Sequence, residues 1–206
     1  MANVLLGATG SVAAVRVPLL YESLTAAGHA VKVVVTDAAA YFFDPAAVGT
    51  TIIRDSHEWP HERYQRGDSV THIELRRWAD LFLIAPLDAN TLAKLALGLC
   101  DNCLTCVWRA WDGTRPVVLA PAMNTLMWEN PFTRKHLHAL GGSDLPDHLD
   151  SLQLIAAINE RSRGIRIVPP IEKELACGDV GLGGMAEVST IIAAVQAMLT
   201  RPVSKG

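Results

Sequence analysis

The sequence predicts a single-domain α/β fold, an open parallel sheet with helices on both faces. Three observations predict it. Short apolar runs rich in Val, Ile and Leu alternate with segments of helical periodicity, the pattern of strands buried on both sides. Two of those runs, Leu81–Ala85 and Pro116–Ala120, each lead into Ala-Pro and then a polar loop containing Asn, as neighbouring strands feeding one crevice would. The chain has 206 residues, 50% hydrophobic and 19% charged, enough for one sizeable core and short for two domains.

Asn3–Leu6 reads as the first strand, followed by Gly7-Ala-Thr-Gly10-Ser11 and an apolar helix from about Val12 to Ala27. Glycines at a strand-to-helix turn let backbone N–H groups approach an anion at the positive end of the helix. The spacing is G-x-x-G-S, neither the dinucleotide G-x-G-x-x-G nor the G-x4-G-K-[ST] phosphate loop, so an anion cradle and a plain tight turn both fit. Gly28-His29 ends the helix and Val31–Val35 is a second buried strand. Thr36, Asp37 and Ala38 follow at its carboxyl end. An acidic residue there could meet the ribose of a dinucleotide, although the first loop lacks the matching signature.

Tyr41-Phe42-Phe43 serves as core or as a ring platform, and Thr50 to Gly67 reads as a polar connecting excursion. His72 stands near the start of a short helix, Thr71–Trp78, where it is either a solvated side chain or an acid/base working near neutral pH. After the strand Leu81–Ala85, Asn90 and Thr91 cap the next helix. That helix carries Cys100, Cys103 and Cys106, whose C-x2-C-x2-C spacing suggests a cluster or zinc site. A fourth ligand is missing, since Trp108-Arg-Ala-Trp111 stands where a Cys-Pro would be needed. With Leu95, Leu99, Leu104 and Val107 as apolar positions, the thiols read as small buried side chains on one helix, and no metal is expected.

Asn124 falls just beyond the strand that ends at Ala120, where open α/β sheets bind ligands. Its amide offers two donors and one acceptor oxygen, suited to a carboxylate. The same stretch also fits a strand-to-helix turn, with Asn124 as N-cap and Met123, Met127 and Trp128 as core filler. Helices follow from about Pro131 to Leu140 and Asp147 to Ser162, then a strand at Ile165–Val168. Leu175 to Glu187 is a glycine-dense loop whose lone thiol, Cys177, would be accessible and open to a functional role. Val188 to Leu199 closes as an amphipathic helix before a short disordered tail.

A net charge of −3 and a pI near 6.1 argue against nucleic acid or an anionic membrane as partner. No apolar run reaches bilayer length, and the N-terminus has no basic leader, so a soluble cytoplasmic protein is expected.

Four separated stretches point one way. Gly10-Ser11-Val12, Pro86-Leu-Asp-Ala-Asn-Thr91, Pro121-Ala-Met-Asn-Thr-Leu-Met-Trp128 and Ala176-Cys-Gly-Asp179 together resemble the flavin-containing cysteine decarboxylases. His72-Ile-Glu-Leu-Arg-Arg-Trp-Ala-Asp80 and Gly98-Leu-Cys-Asp-Asn102 are similar to the stand-alone eukaryotic branch, which acts on phosphopantothenoylcysteine on the way to coenzyme A. The likeness runs from about Val4 to Leu199 and implies a Rossmann-like flavoprotein with FMN at the carboxyl ends of the strands.

By that resemblance, Gly10, Ser11 and Val12 hold the FMN phosphate, with Thr36, Asp37 and Ala38 nearby. Asp88, Ala89, Asn90 and Thr91 form a second binding loop, and Ala122 approaches the ring. His72 is the acid/base, Asn124 grips the substrate carboxylate, and Cys177 protonates the final intermediate. Met127, Glu174 and Ala176 contact the substrate. The implied reaction oxidises the thiol-bearing carbon to a thioaldehyde, loses carbon dioxide to give an enethiolate, and reduces that to 4′-phosphopantetheine. The resemblance also implies a homotrimer with active sites at subunit interfaces, and an insertion at about 141–164. Peptidyl-cysteine decarboxylases share the flavin and the Asn motif but differ in the flap, and flavin prenyltransferases share a similar opening loop but not the Pro-Ala-Met-Asn stretch. A non-catalytic, phosphatase-regulating flavoprotein subunit is the reading from another class, against which His72, Asn124 and Cys177 stand together.

Overall fold

Alternation along β1 (Asn3–Ala8) shows how the sheet is sandwiched. Val4, Leu6 and Ala8 enter one core and Leu5 the other, all fully buried. The computed structural model describes residues 1–142, 144–174, 178 and 180–200. Beside β1 lie β2 (Ala30–Val35) and a two-residue edge strand, β3 (Ile52–Ile53). On the other side lie β4 (Leu81–Leu87), β5 (Val117–Pro121) and β6 (Ile165–Ile167). The order is β3-β2-β1-β4-β5-β6 and every pairing is parallel, the doubly wound arrangement. The winding reverses between β1 and β4, which opens a crevice beyond their carboxyl ends.

The expected helix from Val12 is two pieces, a 3-10 turn (Val12–Arg16) and α1 (Val17–Ala26). Pro18 explains the junction: it has no N–H to donate to the carbonyl four residues back, and its ring crowds that position, so a helix can start there but not run through. The excursion from Thr50 to Gly67 holds β3 and a single helical turn, α2 (Asp55–Glu58), before α3 (Thr71–Trp78).

The single cysteine-bearing helix is likewise divided, into α4 (Ala89–Leu97) and α5 (Cys103–Arg109). Gly98 takes a left-handed φ of 72° that closes α4, and Asn102 restarts the chain by accepting from Thr105 N–H at 2.8 Å. Asp88, not Asn90 or Thr91, caps α4, its Oδ1 accepting from Thr91 N–H at 2.7 Å. The three thiols therefore differ: Cys100 is exposed in the connection, Cys103 is buried, and Cys106 lies between. Among the described residues, no group of three or more His, Cys, Asp or Glu could hold a metal. Burial, followed by the charges of Glu58 and Asp55, pushes the Cys103 thiol far up, and burial pushes Cys106 up to about 11. Only the thiolate reacts, so iodoacetamide at pH 8 is expected to label Cys100 first, Cys106 slowly and Cys103 last, read by peptide mass spectrometry. Equal rates at all three would contradict the burial described.

After β5 come α6 (Thr125–Glu129), α7 (Pro131–Gly141) and α8 (Ser151–Arg161). Asp150 and Gln153 cap α8 reciprocally at 2.8 and 3.0 Å, and Leu154, Ile155 and Ile158 bury its inner face beside β6. Beyond β6, the glycine-dense stretch is not simply a loop: β7 (Ile171–Glu174) and β8 (Val180–Gly184) form an antiparallel pair. The last helix, α9 (Val188–Thr200), joins α1 on one face of the sheet, where Leu20, Leu24, Ile191 and Val195 meet Val4, Val33 and Leu83. On the other face Leu92, Leu104, Leu137 and Leu154 meet Leu5, Phe82 and Leu119. No helix among the described residues is long and apolar enough to cross a membrane.

Candidate functional site

A cleft of about 530 Å³ lies beyond the carboxyl ends of the strands, within the size range of small-molecule and cofactor sites. The loops after β1, β2 (through Phe42), β4 and β5 build it, together with the β7–β8 pair. The loop after β1 brings Gly10, Ser11 and Val12, and the loop after β4 brings Asp88, Ala89 and Asn90. The end of β5 brings Ala122, Met123, Asn124 and, one turn on, Met127. Thr9, fully buried, stitches the first two loops together at the switch point. Its Oγ1 donates to Pro86 O at 2.9 Å and accepts from Asp88 N–H at 2.7 Å, and its N–H reaches Pro86 O at 3.2 Å.

Asn124 is the N-cap of α6, its Oδ1 accepting from Leu126 N–H at 2.8 Å. The cap and the ligand-facing readings are thus compatible, since the cap residue itself lines the cleft. Trp128 is core, at 3% exposure, whereas Met127 is 49% exposed at the cleft. Glu174 also lines it, at the end of β7. Thr91 is buried beneath the loop, held by Asp88 rather than facing the cavity. Thr36, Asp37 and Ala38 do not line the cleft; Thr36 is buried and accepts from Ala39 N–H at 3.2 Å, and Ala38 backs onto Gly10. Ala176 and Cys177 lie outside the described residues.

His72 does not join the others. It sits on α3 against α2, its Nδ1 2.5 Å from Glu58 Oε1, and it is not part of the cleft of its own chain.

Sequence reasoning missed Arg16 and Lys173 as lining residues, whereas Phe42, read as core or ring platform, and Gly183-Gly184-Met185, at the end of the glycine-dense stretch, do line the cleft. Arg16 is held by Glu187 at 3.0 Å. The signal for β8 was present in its glycines. Gly183 has a φ of 147°, and a Cβ there would stand 2.3 Å from Met123 O, so only glycine lets β8 cross the end of β5 and accept from Met123 N–H at 2.9 Å.

The residues fit a flavin mononucleotide. A Cβ at Gly10 would fall 2.7 Å from Ala38 Cβ and 3.1 Å from Asp88 Oδ2, so the bare backbone is what keeps the three loops together there. Val12, Phe42, Met123 and Met185 offer apolar surface for a flat ring, and Arg16 and Lys173 supply positive charge for a phosphate. Gly10→Val is expected to push the loops apart and cut the flavin content of purified protein by roughly tenfold, with a stability cost of about 1–3 kcal/mol. Flavin absorbance per chain and a thermal melt check both; undiminished flavin would contradict the cradle.

The family model described as Flavoprotein matches residues 1–200. The mouse phosphopantothenoylcysteine decarboxylase is 47% identical over 97% of this chain and 88% of its own length. A solved structure of a PPC decarboxylase cysteine-to-serine mutant complexed with pantothenoylaminoethenethiol is 46% identical, with a TM-score of 0.81 over 97% of this chain and 99% of that one. The FMN binding protein AtHal3 is 47% identical, with a TM-score of 0.76 and 95% of each chain covered. Near-full-length identity of this size, on the same doubly wound sheet, places the chain in the Flavoprotein family, on the branch of the phosphopantothenoylcysteine decarboxylases.

Proposed function

We propose that the chain is an FMN-dependent decarboxylase that converts (R)-4′-phospho-N-pantothenoylcysteine to 4′-phosphopantetheine in coenzyme A synthesis. The observation that carries the reading is the single cleft that gathers Gly10–Val12, Asp88–Asn90, Ala122–Asn124 and Met127. Bound FMN supplies the oxidation of the thiol-bearing carbon and the closing reduction, chemistry no side chain can perform.

The chain's own residues bind, orient and move protons. With its Oδ1 engaged by Leu126 N–H, the Asn124 amide meets the substrate carboxylate through its N–H donors. The carboxylate is held until its electrons can pass towards the C=S group formed beside it, and carbon dioxide departs. Met127 and Glu174 flank the same pocket. His72 takes the thiol proton, and Cys177 protonates the enethiolate carbon at the end. His72 does not line the cleft of its own chain, so the reading needs a second copy to supply it, in keeping with the homotrimer that the family resemblance implies.

The test is flavin content and reconstitution. Purified protein is expected to be yellow, releasing about one FMN per chain on denaturation. Stripped protein should regain activity with FMN. A colourless protein that cannot be reconstituted would overturn the reading.

A further inference from the structure

Glu58 ends α2 with its side chain only 6% exposed, and both carboxylate oxygens are engaged by one residue. Oε2 accepts from the His72 backbone N–H at 2.8 Å, and Oε1 lies 2.5 Å from His72 Nδ1. That N–H is in the first turn of α3 and has no acceptor inside its own helix, so the carboxylate also caps the helix. A carboxylate only accepts, so Nδ1 carries the proton and donates. The lone pair of the neutral ring is then on Nε2, for which no partner occurs among the described residues, on a side chain 24% exposed.

The carboxylate is itself held in place. Thr71 Oγ1 donates to His57 O at 2.6 Å, tying α2 to the start of α3. At the other end of the turn, Asp55 Oδ1 accepts from Cys103 N–H at 2.8 Å, tying α2 to α5. A single helical turn with both ends anchored is a rigid mount for one side chain.

We propose that Glu58 is a positioning residue that locks His72 in the Nδ1–H tautomer and so presents Nε2 as the base for the substrate thiol. The step balances: the S–H bond breaks, an Nε2–H bond forms, and the ring becomes an imidazolium whose charge is offset by the Glu58 carboxylate. The inference rests on the reading of His72 as the acid/base.

Glutamine at 58 separates this role from simple packing. It has the same shape but one acceptor oxygen, and two N–H groups of His72 need one each. Its amide N–H₂ must face either the backbone N–H or Nδ1; facing Nδ1 turns that nitrogen into an acceptor and moves the proton to Nε2.

The experiment is nitrogen-15 NMR of the His72 ring at pH 8 in flavin-loaded protein, with steady-state kinetics on phosphopantothenoylcysteine. Wild type is expected to show Nδ1–H and an unprotonated Nε2; an Nε2–H tautomer in wild type would overturn the proposal without any variant. Glu58→Gln should shift towards Nε2–H and lower kcat by about 10²-fold, with KM within about twofold and the flavin spectrum kept. Glu58→Asp should keep the Nδ1–H tautomer and stay more active than Glu58→Gln. His72→Asn separates the two readings. If His72→Asn is as active as wild type, the acid/base role itself fails. If His72→Asn is inactive while folded Glu58→Gln is fully active, only the role of Glu58 fails.

Discussion

Replacing Asn124 with Asp is expected to reduce decarboxylation by about 10³-fold while leaving FMN bound. The aspartate would still cap α6, because a carboxylate oxygen accepts from Leu126 N–H as the amide oxygen does, so the local fold is preserved. What changes is the other half of the group, from N–H donors to a second negative charge facing the substrate carboxylate. Two like charges about 4 Å apart at an effective dielectric near 20 repel by about 4 kcal/mol. At about 1.4 kcal/mol per decade, that is roughly a thousandfold. The measurement is carbon dioxide release by the yellow variant; turnover within tenfold of wild type would refute the grip.

Cys177→Ser is expected to retain FMN and to release carbon dioxide once, yet to form almost no phosphopantetheine. A serine hydroxyl has about the size of the thiol but is a far weaker acid, so it is a poor proton donor to carbon at neutral pH. The enethiol should accumulate instead and be seen by mass spectrometry in single-turnover mixtures. Normal product yield from Cys177→Ser would remove the cysteine from the last step.

Strands buried on both faces were the most legible part of the fold. Leu81–Ala85 and Val117–Ala120 have no polar side that could have been mistaken for an edge, and they are adjacent and parallel as their shared Ala-Pro endings suggested. Helix boundaries were harder where one residue interrupts an otherwise continuous apolar pattern. Pro18 starts a new helix and Gly98 ends one, and hydrophobic periodicity runs straight through both. The β7–β8 pair was the hardest. Strand propensity counts Gly181, Gly183 and Gly184 against a strand, yet the glycines are what allow it. A side chain at Gly181 would stand 2.5 Å from Thr125 Oγ1, and one at Gly183 would strike the backbone of Met123 just beyond β5.

The site was legible in a different way. Gly10, Asp88 and Asn124 lie far apart in the chain, and what places them together is the switch between β1 and β4, a property of strand order rather than of any local motif. Their roles came from resemblance, while their shared cleft comes from the fold. Thr9 and Arg16 carried no motif. Thr9 acts through hydrogen bonds to residues 77 and 79 positions away, which no local pattern signals. Glu58 was hidden for the same reason, since its partner His72 is 14 positions on and across an irregular stretch.

The most direct measurement is anaerobic incubation of the yellow protein with phosphopantothenoylcysteine, following carbon dioxide and phosphopantetheine together. The account predicts that both appear in equal amounts, with no external oxidant or reductant consumed. A flavin-loaded protein that releases neither from this substrate would contradict it.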